Sequence, residues 1–320
     1  MFGLTFLSAT SKTTTHRVVP FLIKRTLEGV AGYVAGGQDI ARVSGIDKIT
    51  FPADSKTTLS PTLTTARLGA AGFANSGVAG YVAGGNDGSY VSGIDKITFP
   101  ADSKTTLSAT LTSGRAAPAG FANSGVAGYS AGGDTGTLTN IIDKITFPAD
   151  SKTTLSATLT TARATASGFA NSSVAGYVAG GESVGAYISG IDKITFSADT
   201  KTTLSATLTT ARSTPAGFAN SGTAGYVAGG YDSSYVSGID KIAFSADTKT
   251  TLSATLTTAR NGAAGFANSG TAGYVAGGSD GARISGIDKV AFALDTKTTL
   301  SATLTSARYL PAGFANSGTL

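Results

Sequence analysis

The sequence predicts an all-β fold, a closed six-bladed β-propeller of four-stranded blades, on three observations. One unit recurs six times at a nearly fixed interval, with its tyrosines at Tyr33, Tyr81, Tyr129, Tyr177, Tyr226 and Tyr274. Each unit reads as four short strand-like runs separated by turn residues. The two ends of the array are complementary in phase. A single unit of this size cannot bury its own apolar faces, so the copies must pack on one another.

Ahead of the array stands a segment, residues 1–30, that lies outside the repeat. Its start, Met-Phe-Gly-Leu-Thr-Phe-Leu, lacks the basic region of a secretory signal. The apolar run Val18 to Ile23 contains Pro20 and is far too short to span a membrane, so no membrane insertion is expected. Its apolar and basic side chains, Phe2, Phe6, Arg17, Phe21, Lys24 and Arg25, read as an extended docking arm. A frayed terminus is the other open reading. Leu4 to Thr14 also loosely echoes the ITFPADSKTT of the repeats.

Residues 31–320 form the second region, the propeller. In the second copy the strand-like runs are Gly80 to Ala83, Val91 to Phe99, Thr105 to Leu111 and Ala119 to Asn123. Gly84-Gly85 closes the first run, and Pro100-Ala-Asp-Ser marks a turn, because proline presets its backbone angle and aspartate bonds a following amide. Four short strands in a unit of this length is the pattern of a propeller blade, and no helix is required.

The chain closes its repeats on Phe314-Ala-Asn-Ser-Gly-Thr-Leu and opens them on Val30-Ala-Gly-Tyr, two pieces that are consecutive at every internal junction. The C-terminal strand is therefore expected innermost in the first blade, leaving no open sheet edge.

Variation among the six copies is concentrated after Gly-Gly, as in QDIARV and NDGSYV, and after the Ala-Arg position. In an alternating four-stranded meander both segments emerge on one face, while the near-invariant PADSK and NSG turns build the opposite face. The candidate ligand-binding residues on the variable face are Arg42, Tyr90, Tyr187, Tyr231, Tyr235, Arg283 and Tyr309, since tyrosine and arginine combine a large contact area with a polar tip. Unconstrained drift of these loops is the competing reading. An acidic residue follows Gly-Gly in each copy: Asp39, Asp87, Asp134, Glu182, Asp232 and Asp280. Such a ring suits turn bonding or pairing with the Arg67-class arginines better than a metal, because no copy has a dense acidic loop. The Asp47, Lys48, Asp54 and Lys56 class is expected to form ion pairs and turn bonds within and between blades.

Composition excludes several functions. Without cysteine there is neither a disulfide framework nor a thiolate metal site. The formal charge of +5 is weighted toward residues 1–30, where Lys12, Arg17, Lys24 and Arg25 face only Glu28, so the propeller has no basic groove for nucleic acid. His16, the sole histidine, lies in the arm, and carboxylates repeated by symmetry do not make distinct acid and base. No catalytic residue, cofactor or metal is expected.

A strand ending in Gly-Gly, a following strand carrying aspartate, a threonine-rich outer strand and Ala-Arg before the next innermost strand resemble the kelch propeller repeat across residues 31–320. The kelch tryptophan is missing, because the chain has no Trp, so Phe99, Leu107, Leu111 and their equivalents must pack the blades. The GYVAGG, IDKITF, TLTTAR and FANSG arrays also resemble propeller repeats in structural and tail-fibre proteins of tailed phages, especially those infecting cyanobacteria. That resemblance implies a non-enzymatic virion protein of a tail fibre, baseplate or appendage. The arm would dock on other virion proteins, and the variable face would meet a host-surface glycan or protein. Low charge and many small residues suit an oligomer within the particle. The alternative is a cellular or secreted kelch-like interaction or lectin-like module, in the bacterial cytoplasm or at the cell surface.

Overall fold

The protein's structure, a computed structural model, describes residues 30–317. The expectations placed on Phe2, Phe6, Arg17, Phe21, Lys24, Arg25 and His16 lie outside the described residues. Six four-stranded antiparallel sheets follow one another around an axis as the blades of a propeller. In the second blade the strands run from the axis outward as Ala71–Asn75, Ala79–Ala83, Ile94–Thr98 and Ser103–Thr106. The first blade takes its innermost strand, Ala312–Asn316, from the end of the chain and pairs it with Ala31–Ala35, as the phase of the repeats predicts.

The outer strand differs from its predicted span. It occupies Ser103–Thr106, because the turn closes tightly with Asp102 in the left-handed region at φ 53° and Thr98 pairs directly with Ser103. Leu107 and Leu111 therefore belong to the segment that crosses toward the next blade, where Leu111 is buried.

Register explains the packing. Phe73, Tyr81, Lys96 and Thr105 align across one face of the second blade, and Gly72, Val82, Asp95 and Thr106 across the other. Both faces meet a neighbouring blade, so the second strand is buried along its whole length. Six apolar cores fill the six junctions. In each, an innermost-strand phenylalanine stacks on the tyrosine beside it, as Phe73 does on Tyr81 at 5.4 Å. A phenylalanine of the next blade stacks on the same tyrosine, as Phe147 does at 5.0 Å. These columns fill the junctions of a chain that has no tryptophan.

The innermost strands meet so closely that side chains are excluded from the axis. A Cβ on Gly120 would lie 2.5 Å from the Gly72 carbonyl oxygen, and Gly72, Gly168, Gly217, Gly265 and Gly313 repeat that approach around the ring.

Candidate functional site

Backbone geometry brings the two variable segments together. The residue after each arginine pairs with the residue after Gly-Gly in the adjoining copy, as in Leu68 with Asn86, Ala116 with Asp134 and Tyr309 with Gln38. Beneath these bridges, at the axis, six backbone N–H groups close a ring. Ala117 donates to Gly69, Thr165 to Ala117, Thr214 to Thr165, Gly262 to Thr214, Leu310 to Gly262 and Gly69 to Leu310, at 2.6–2.9 Å. All six residues lie in the left-handed region, at φ 51–62°, although only two are glycine. For Thr165 and Thr214 that conformation is unfavourable, so closure of the ring overrides local preference.

Above this floor, in the first, second, fourth and sixth copies, a residue four or five positions after the first of the loop reaches into the next blade. Arg42 donates to Asn86 Oδ1 at 2.8 Å, and the Tyr90 hydroxyl donates to Asp134 Oδ2 at 2.8 Å. Tyr187 packs edge-on against Tyr231 at 6.0 Å, and Arg283 donates to the Gln38 carbonyl at 2.7 Å. The hydrogen bond to Asp134 is the main reason that the Tyr90 hydroxyl titrates above its ordinary range. Tyr231 also meets Tyr235 at 5.4 Å, forming an aromatic cluster in the fourth and fifth copies. Tyr309 is partly buried over Gly262, and its hydroxyl pKa is raised by that burial. Of the seven candidate residues, Arg42, Tyr90 and Arg283 make polar contacts, Tyr231 meets both Tyr187 and Tyr235, and Tyr309 lies over Gly262.

The six acidic residues do not share one position. Asp134 and Glu182 stand at the bridging position directly after Gly-Gly, while Asp39, Asp87, Asp232 and Asp280 stand one residue later. Turn bonds hold several of them: Asp87 accepts from the Ser89 N–H, Asp134 from Gly136, Asp232 from Ser234 and Asp280 from Ala282. Among the described residues, no three His, Cys, Asp or Glu side chains gather into a group able to hold a metal ion.

The arginines are not surface partners of these acids. Arg67, Arg115, Arg163, Arg212, Arg260 and Arg308 are buried, and each pairs with the third-strand aspartate of the next blade at 2.6–3.1 Å. The last pair, Arg308 with Asp47, crosses the closure. Each aspartate also accepts from its threonines, as Asp95 does from the Thr64 amide and from the Thr64 and Thr106 hydroxyls. Burial opposes the charge on Asp95, but the Thr64 bonds and Arg67 outweigh it and hold its pKa below the usual carboxylate value.

On the opposite face, Asp102 accepts from the Tyr33 hydroxyl at 2.7 Å and from Lys48 at 2.6 Å. The same trio recurs at every junction, ending with Asp54 on Tyr274 and Lys289. These are ion pairs between blades, as expected of the Lys48 and Asp54 positions, whereas Asp47 pairs with Arg308 and, at 4.0 Å, with Lys56. Sequence reasoning missed the tyrosine in the trio, although its spacing of 69 residues from the turn aspartate recurs.

The sequence matches no protein-family model and no curated protein.

Proposed function

We propose that this chain is a non-enzymatic binding propeller that makes contact through its variable face. The observation that carries this reading is the division of labour inside one repeat. The buried ion pairs and aromatic columns are the same at all six junctions, whereas the exposed cross-blade contacts change from copy to copy. Changing side chains on a fixed backbone is how a repeat scaffold presents a recognition surface.

The kelch-like and phage-like repeat style favours a virion setting, in a tail fibre, baseplate or appendage. The placement of the described ends suits such an arrangement. Val30 accepts from the Phe51 amide just as Val78 does from Phe99, and the Ser317 amide donates to Ser76 Oγ, so both ends sit on the face opposite the variable loops. Anchoring residues 1–29 on another virion protein would point the variable face outward. Peptide mass spectrometry across a density gradient of lysate from the source culture tests this setting. Sedimentation with DNA-containing particles is the expected result. Recovery only in soluble or membrane fractions overturns the virion setting and moves the binding module to a cellular or secreted role.

A further inference from the structure

The variable face is not evenly filled. Across the fourth and fifth copies Tyr187, Tyr231 and Tyr235 pack edge to face, and Tyr309 covers Gly262. Across the first three copies no aromatic pair fills the space between the loops, and a cleft of about 340 Å³, lined by Leu68 and Ala116 among others, opens above the axial ring. Its volume lies at the small end of ligand sites.

Beside Gln38, four polar side chains paired across the loops equip this cleft: Arg42, Asn86, Tyr90 and Asp134. Each is held by a neighbour across a blade junction, Arg42 by Asn86 and Tyr90 by Asp134. Each also keeps hydrogen-bonding capacity to spare. Arg42 uses one guanidinium nitrogen on Asn86, and the Asn86 oxygen accepts from Arg42 and Gly88, which leaves its amide N–H groups as donors. Asp134 accepts Gly136 on one oxygen and Tyr90 on the other, with further lone pairs on both. The guanidinium and the carboxylate cancel in charge, so no net field selects an ion. Leu68 and Leu310 form an apolar floor, and Tyr90, 38% exposed, adds an aromatic surface.

The geometry points to a neutral saccharide, a mono- or disaccharide unit of a surface glycan, as the ligand of this cleft. Paired planar donors and acceptors match neighbouring hydroxyls, while the floor and the tyrosine match the C–H faces of a sugar ring. Fixed side chains hold down the ordering cost that weakens binding. This inference rests on the variable-face reading and names its ligand class and location.

An array of neutral hexose oligosaccharides, with sialylated and sulfated glycans alongside, tests it on the full chain. The variants are Asn86→Ala, Tyr90→Ala and Tyr187→Ala, together with Ala116→Trp, which fills the cleft and leaves its polar groups in place. Folding of each is checked by circular dichroism. Retention of a neutral glycan, weakened about tenfold or more by the three cleft variants and least by Tyr187→Ala, is the expected result. Retention of charged glycans alone, or of none, overturns the ligand class. Neutral binding lost in Tyr187→Ala but kept in the cleft variants overturns the location. Binding to cells of the source culture is measured with the same proteins. If it persists in all four variants, the variable-face reading itself fails, an outcome separable from failure of the saccharide proposal.

Discussion

On the invariant face, Asp102 ties Tyr33 and Lys48 of the preceding blade, and the same three residue types repeat at every junction. On the variable face the equivalent step between blades is Arg42 to Asn86, then Tyr90 to Asp134, then Tyr187 against Tyr231. Both sets of contacts cross the same six blade junctions, and they differ in exposure to solvent. The Lys48 and Asp102 side chains are 13% and 17% exposed. There an unpaired charge is costly, and only a matching partner is tolerated. On the variable face water can replace a lost partner, so copies diverge without harm to the fold. The third-strand aspartates extend the first rule to full burial.

The sharpest break of this contrast is Arg163→Met. Arg163 lies 2.6 Å from Asp192, with side chains 3% and 1% exposed, and it also donates to the Gly180 and Gly190 carbonyls. Its removal leaves the buried carboxylate only Lys201, 3.9 Å away, as a countercharge, so a loss of about 3 kcal/mol, at the low end for a broken buried pair, is expected in urea unfolding. A loss no larger than that of a variable-face substitution would erase the distinction between the faces.

Gly120→Ala probes the axis by shape instead of charge. The new Cβ would sit 2.5 Å from the Gly72 carbonyl oxygen and 3.0 Å from the Gly72 nitrogen, so backbone must move. A cost of about 1–3 kcal/mol is expected from overpacking, read as a lower denaturation midpoint.

Proton linkage separates the two kinds of buried contact by pH. Asp95, Asp192 and Asp240 have folded pKa values below the ordinary 3.8; burial opposes this, and threonine bonds and the arginine outweigh it. Their contribution is fully present above that value and is lost as pH falls through the lower folded pKa. Tyr33, Tyr81, Tyr129, Tyr177, Tyr226 and Tyr274 have hydroxyl pKa values raised well above 10.0, by burial first and by their aspartates next. Theirs is present below pH 10.0 and is lost as pH rises toward the folded value. Urea midpoints should therefore stay level across the neutral range and fall at both extremes. Tyr129→Phe should reduce the alkaline fall, and Asp192→Asn should lower stability at neutral pH while reducing the acid fall.

Much of this was legible in the sequence, and for a physical reason. Six copies in register announce a closed array, and the split repeat announces that Ala312–Asn316 completes the first blade. Contacts within a copy follow from strand alternation, but contacts between copies depend on how far each crossing segment travels. Arg67 was legible as a repeating arginine, yet its partner is Asp95, 28 positions on and inside the next blade. The acidic residues illustrate the same limit. Asp134 is the first residue after Gly-Gly and Asp87 the second, and the backbone bridges reveal that only the first position pairs with the neighbouring copy. Closure of the axial ring was equally hidden, because Ala117, Thr165, Thr214 and Leu310 are not residue types that announce a left-handed backbone.

The smallest expected effect completes the contrast. Arg42→Ala removes a guanidinium that is exposed and donates only to Asn86, itself bonded to the Gly88 amide. No buried charge is stranded, and water can satisfy Asn86, so unfolding free energy should change by no more than about 0.5 kcal/mol. The same substitution removes one wall of the cleft and should weaken ligand capture by far more than it weakens the fold. Equal losses of stability and binding would mean that the loop is held by this contact, and that variation among copies reflects compensated structure instead of recognition. A loss confined to binding would locate recognition in the side chains that the repeat leaves free to change.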